Sequence, residues 1–347
     1  MLERHSSSGR TASEKLRLFR LGLWILFLAL ACSSSARAQT CFTVSDMDQP
    51  TRTALESTAK RYFDMVVRGD AAALKQNAIP SLASAFSGIE DAVKDNQQNL
   101  SGVQATLRPP FELKTQDAAT DQHAEFLCGV FGKNGQTADS AVFVIPNLTA
   151  GTYAVATLDA PTAKGPYAVT FVLQQMGTDW KLGGLYVKEN QVNGHDANWF
   201  AEKARDFQKK GQTHNAWFYF LEARDLSVPL SFMNTLQTDK LFDEMQSVKP
   251  SDLPGSGNTA DLPASGKTYK LTTVFPLIVG KDFDLVVKYQ TDTVADTAKA
   301  FQDNSTVMKA LVAKYPEFHD AFDGIVARAV ALSGEDYGSM LPMKEIK

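Results

Sequence analysis

Asp117, Asp121 and His123 come nearest in this chain to a constellation that could do chemistry. If the strand entering Phe126 begins early enough, all three side chains share one face, because alternate residues of a strand point the same way. An imidazole beside carboxylates has the makings of a general base. Ala118-Ala119-Thr120, which separates them, has no strand pattern and reads as a solvated loop between strands, so the trio stands only as a catalytic candidate. The sequence has no G-x-S-x-G, H-E-x-x-H, C-x-x-C, P-loop or EF-hand pattern, so the usual mechanism-bearing motifs are missing. Gly255-Ser256-Gly257 follows no strand and reads as linker, and Asp282 and Asp284 around Phe283 read as a turn with a solvated strand edge. His195 reads as a loop residue ahead of a helix, and His214 and His319 as surface positions on helix turns. No cofactor and no metal site are expected. Asn99-Leu100-Ser101, Asn147-Leu148-Thr149 and Asn304-Ser305-Thr306 fit the glycosylation acceptor pattern.

The elements that would position these residues begin with helices. Asp48 or Ser45 caps a helix near Pro50, with Leu55, Ala59, Tyr62, Phe63, Val66 and Val67 along one face. It stops at Arg68-Gly69, Asp70 caps a short turn, and Pro80 opens a third helical stretch carrying Leu82, Phe86, Ile89 and Val93. Beyond Gly102 the period changes to that of strands, over 111–115, 124–131, 141–145, 153–158 and 167–174. The last strand turns at Gly177-Thr178-Asp179 into a return through Trp180, Leu182 and Tyr186. Helices followed by an antiparallel meander give an α+β class with a curved sheet. The long first helix, the Arg68-Gly69-Asp70 break and the late Gly-x-x-Trp hairpin resemble the cone-shaped nuclear-transport-factor-2-like superfamily over about residues 45–190. That resemblance implies a sheet and helices around a pocket, in a superfamily whose members include enzymes, binding modules and assembly domains.

Residues 198–229 read as two amphipathic helices meeting at Lys209-Lys210-Gly211-Gln212. Phe200, Ala204, Phe207, Gly211, Ala216, Phe220, Ala223 and Pro229, in that order, resemble a single tetratricopeptide repeat. Shifting the pattern by one repeat in either direction finds no second copy, so a solenoid is excluded. Two roles stay open for this hairpin: a brace between the flanking units, or a peptide-binding surface presenting Phe200, Phe207, Trp217 and Phe220. One more helix spans about 234–248, and Pro, Gly and small polar residues mark 249–267 as a linker. The rest, 268–347, reads as a smaller C-terminal α+β unit: strands over 269–279 and 283–289, short helices starting near Asp292 and Asp303, a third helix from Pro316 with Phe318, Phe322, Ile325, Val326, Ala329 and Val330, and a last strand at 341–346.

Residues 1–38 have the form of a signal peptide: Arg10, Lys15, Arg17 and Arg20, an apolar run from Leu21 to Ala31, and Ala36-Arg37-Ala38 before Gln39. The run is too short to span a bilayer, so no transmembrane segment is expected in the mature chain. Lipid attachment at Cys32 is the alternative, since Leu30-Ala31-Cys32-Ser33 loosely resembles a lipobox. Cleavage after Ala38 removes six basic and two acidic residues and leaves 29 against 37, a net charge of −8, which argues against a nucleic-acid partner. Cys41 and Cys128 remain and are expected to pair in an oxidising compartment, a free buried Cys128 being the alternative. Units at 39–190, 191–248 and 268–347 thus make an exported, periplasmic or extracellular, non-enzymatic binding or assembly protein, with a protein or peptide partner at the hairpin. The alternative is an enzyme or small-ligand carrier using a pocket in the first unit.

Overall fold

A computed structural model describes residues 39–116, 123–131, 135–255 and 257–346, and the class is α+β. Helix α1 (Gln49–Val67) starts where Asp48 accepts a hydrogen bond from the Thr51 N–H at 2.8 Å, and it buries Leu55, Ala59, Tyr62, Phe63 and Val66. Gly69, at φ 71°, lets the chain reverse, and Asp70 caps α2 (Ala71–Gln76). The expected third helix is two, α3 (Pro80–Ser84) and α4 (Ser87–Leu100).

These helices cover one face of a large antiparallel sheet. Its strands are β1 (Thr40–Phe42), β2 (Thr106–Leu107), β3 (Phe111–Thr115), β6 (Gly151–Thr162), β7 (Gly165–Met176) and β8 (Asp179–Glu189), in the order β1-β3-β6-β7-β8 with β2 also on β6. Ala154, Ala156, Val169, Phe171, Leu173, Trp180 and Leu182 meet Tyr62 and its helical neighbours in an apolar core, where the Tyr62 hydroxyl donates to the Trp180 carbonyl at 2.9 Å. The other face is covered as well. There β4 (His123–Cys128), β5 (Ala141–Pro146) and β11 (Met233–Thr235) form a small sheet whose Phe126 and Phe143 pack against Leu113, Tyr153 and Val155. This is why β6 is apolar on both sides, as a strand between two layers must be. The sulfurs of Cys41 on β1 and Cys128 on β4 lie at bonding distance, 2.01 Å, and tie the two sheets together.

Strands β9 (Gln191–Val192) and β10 (His195–Asp196) lead into the helical hairpin, α5 (Ala197–Lys209) and α6 (Thr213–Leu226). Ala204, Ala216 and Ala223 are fully buried, so the small residues lie where the helices approach. Helix α7 (Leu236–Ser247) follows, opened by a capping box of Thr235 and Thr238. A five-stranded sheet completes the chain in the order β12 (Ala260–Ala264), β13 (Lys267–Val279), β14 (Asp282–Thr291), β15 (Gly324–Ala331), β16 (Asp336–Pro342). Only β14 and β15 are parallel, joined through α8 (Thr297–Lys314) and a 3₁₀ turn, Pro316–Asp320.

Several expectations are corrected here. The linker at 249–267 contains β12, an edge strand of the C-terminal sheet, whose Leu262 enters the core. The short helices expected near Asp292 and Asp303 are one helix, α8. The helix expected from Pro316 is a 3₁₀ turn followed by β15, which turns Ile325, Ala327, Ala329 and Ala331 inward with period two. The last strand runs over Asp336–Pro342, not 341–346. The hairpin, α7 and the C-terminal sheet share one continuous core, and β11 returns to pair with β5 of the first unit, so boundaries at 190 and 248 cut through packed structure. Asn304 is fully buried, holding Tyr289 and Ser339 by hydrogen bonds, so its acceptor triplet is closed to glycosylation in the folded chain.

Glu222 of α6 is 7% exposed beside Asp225, near the point where Lys188 of β8 reaches Asp225 and the Val228 carbonyl. Burial, then the Asp225 charge, pushes its carboxyl up to about 7, with Lys188 opposing. A folded-state pKa raised above the unfolded value means that the folded chain holds the extra proton. The stability this gives is complete below about pH 4.5 and lost as pH rises through about 7. Glu222→Gln is therefore expected to stabilise the protein by up to about 3 kcal/mol at pH 8 and by almost nothing at pH 4. Urea midpoints at the two pH values check this, and an equal shift at both would contradict the buried carboxylate.

Candidate functional site: a cleft between the hairpin and the C-terminal sheet

Among the described residues, the interior of the first unit offers little room for chemistry. Phe126, Phe143, Phe171 and Trp180 are buried and fill the two layers on either side of the sheet. His123 opens β4 as an exposed residue opposite Pro146, while Asp117 and Asp121 lie outside the described residues. No described group of three or more His, Cys, Asp or Glu side chains is arranged to hold a metal ion.

One open concavity, of about 550 Å³, lies where Arg108, Phe111 and Ser140 of the first unit meet Pro229, Gln237 and Lys240. Another, with an aromatic floor, lies where α5 and α6 face the start of β14 and the 3₁₀ turn. One end is a cavity of about 310 Å³ with Phe200, Tyr219, Phe283 and Phe322 beneath it and His195, Trp199, His319, Asp320 and Asp323 around it. A second space of about 630 Å³, which shares Trp199, Tyr219 and Asp320 with the first, is bordered by Lys203, Asp206, Phe207, Lys209 and Lys210. Helix α5 begins at the cleft because Asp196 accepts from the Trp199 N–H at 2.9 Å, and the Asn193-Gly194 turn before it holds both residues at positive φ, 51° and 77°. The His195 ring stacks on the Trp199 indole at 3.7 Å between centroids. The floor is a net of rings: Phe200 to Phe283 at 5.2 Å, Tyr219 to Phe283 at 5.2 Å, and Phe283 to Phe322 at 5.4 Å. The Tyr219 hydroxyl donates to the Ala321 carbonyl at 2.7 Å, and burial, then the Asp323 charge, pushes its pKa far up. Lys203 and Lys210 lie over the Trp199 and Phe207 rings, each 5.6 Å from the centroid.

The expected partner-binding set needs correction. Phe200 is 2% exposed, Phe207 6% and Phe220 0%, because their rings form the core that joins hairpin and C-terminal sheet. Phe200 and Phe207 touch the cleft only as floor and wall, and Trp217 is half-buried beneath Lys249, away from it. The rim residues His195, His319, Asp320 and Asp323 were not legible as a set, since nothing local to 319–323 announces a partner more than a hundred residues earlier. His214 is no surface residue: its Nδ1 lies 2.8 Å from Glu317 and its Nε2 2.9 Å from Asp252, a clamp between α6, the segment before β12 and the 3₁₀ turn.

Comparison with protein-family models, with curated proteins and with solved structures finds no match to this chain. No described helix is long and apolar enough to cross a membrane.

Proposed function

We propose that this chain is a non-enzymatic binding or assembly protein of the cell envelope, exported to the periplasm or the extracellular space, which engages a peptide segment of a partner along α5. The observation that carries the reading is a cleft along α5 that stays open over an aromatic floor with charged groups of both signs at its rim. A concavity with an apolar floor and a few polar groups around it is the usual form of a binding site. The Cys41–Cys128 bond fits the oxidising compartment that export implies. In this reading the hairpin braces the two halves and lends one side of α5 to the ligand.

The test is selection from a random peptide library on the mature chain carrying a benzophenone amino acid in place of Lys203, which is exposed at the cleft, or of Lys94, which is exposed on α4. Selected peptides are expected to cross-link from position 203 and not from 94. Equal cross-linking from both, or no selected peptide, would remove the cleft as the site.

A further inference from the structure

We infer that the end of the cleft beside the 3₁₀ turn takes an organic cation, the guanidinium or ammonium of a basic side chain on the bound peptide. The inference rests on the cleft being a peptide site and adds what that end selects. Asp320 and Asp323 are both exposed at its mouth. One oxygen of each is already held: Gln212 donates to Asp320 Oδ2 at 2.7 Å, and the Phe283 N–H donates to Asp323 Oδ2 at 2.8 Å. These bonds fix the two carboxylates in place and leave the second oxygen of each for an incoming donor. Among the described residues, the ion pairs of the hairpin, α7 and the C-terminal sheet use Asp206, Asp225, Glu244, Asp252, Asp303, Glu317 and Asp336 and do not include Asp320 or Asp323.

The surroundings favour a cation on an apolar stem over any other ligand. Beneath the carboxylates lie aromatic rings, which accept methylene groups and attract positive charge. An anion would meet two carboxylates, and the Asp323 charge adds to burial in pushing the Tyr219 phenol up. The cleft's own cations, Lys203 and Lys210, lie over Trp199 and Phe207 and border the second space together with Asp206 and Asp320. A cavity of about 310 Å³ has room for one long side chain and not for a folded element.

The experiment is an NMR titration of the mature chain, followed at the Trp199 indole N–H, with acetyl-Gly-Arg-Gly-amide and with the same peptide carrying citrulline, a neutral isostere, in place of arginine. The arginine peptide is expected to bind about tenfold more tightly. The difference should disappear in a chain carrying Asp320→Asn and Asp323→Asn, changes that keep an acceptor for Gln212 and for the Phe283 N–H. Equal affinity for the two peptides, binding of neither, or a preference that survives in the double variant would overturn the inference. Library peptides that cross-link at position 203 yet lack this preference would overturn it alone and leave the peptide site standing. Loss of cross-linking would remove both.

Discussion

Phe200→Ala is expected to lower the unfolding free energy by about 3–5 kcal/mol, the cost of removing a large aromatic side chain from a packed core. The ring is 2% exposed and contacts Trp199 at 5.0 Å, Phe283 at 5.2 Å and Tyr219 at 5.3 Å between centroids, so three elements meet on it. Neither α5 nor β14 is free to collapse into the space left behind. Helix α5 is held against α6 through Ala204, and β14 is fixed between β13 and β15. Most of the cavity term should therefore persist. Urea unfolding followed by near-ultraviolet circular dichroism measures the loss, and a midpoint within error of the wild type would show that Phe200 is a surface aromatic after all. The same variant separates two roles that one sequence pattern supports: a ring presented to a partner costs binding, whereas a ring shared by hairpin and sheet costs folding.

How much could be read beforehand depended on how far apart in the chain the deciding contacts lie. Helix α1 was legible because Asp48, Pro50 and the Leu55-to-Val66 stripe agree over its whole length, and the β7–β8 pair because its alternation and the Gly177 turn are local. The α5–α6 junction was legible for the same reason, through Gly211 and the three buried alanines. By contrast Phe318, Phe322, Ile325, Val326, Ala329 and Val330 fit a helical face, yet 325–330 also alternate, and the edge β14 offers decides for a strand. The 249–267 stretch has the composition of a linker and still supplies β12, since an edge strand needs a single apolar anchor, here Leu262. Of the candidate site, the aromatic floor was visible as Phe200 and Phe207, although read as facing outward. The acidic rim was invisible because it forms only when the 3₁₀ turn packs against α5 and α6 across long sequence distance.

Removing the Cys41–Cys128 bond, by replacing both residues with alanine, is expected to cost about 2–4 kcal/mol. The two cysteines are 87 residues apart, and a loop of that length loses considerable entropy in the unfolded chain when it is closed. In the chain-entropy picture the ceiling is about 4–5 kcal/mol. The measured value should fall below that ceiling, because residual structure in the unfolded chain already limits the entropy the bond removes. Cys128 is fully buried beside Phe126 and Phe143, so the alanine variant also loses packing, and mild reduction of the wild type isolates the covalent share. Oxidised protein should show no free thiol under denaturing, non-reducing conditions, and the reduced form should melt at lower temperature. Two labelled cysteines in protein secreted to the periplasm, or a double variant as stable as the wild type, would contradict the bond. With the bond present, the arm carrying β1 is anchored across two sheets.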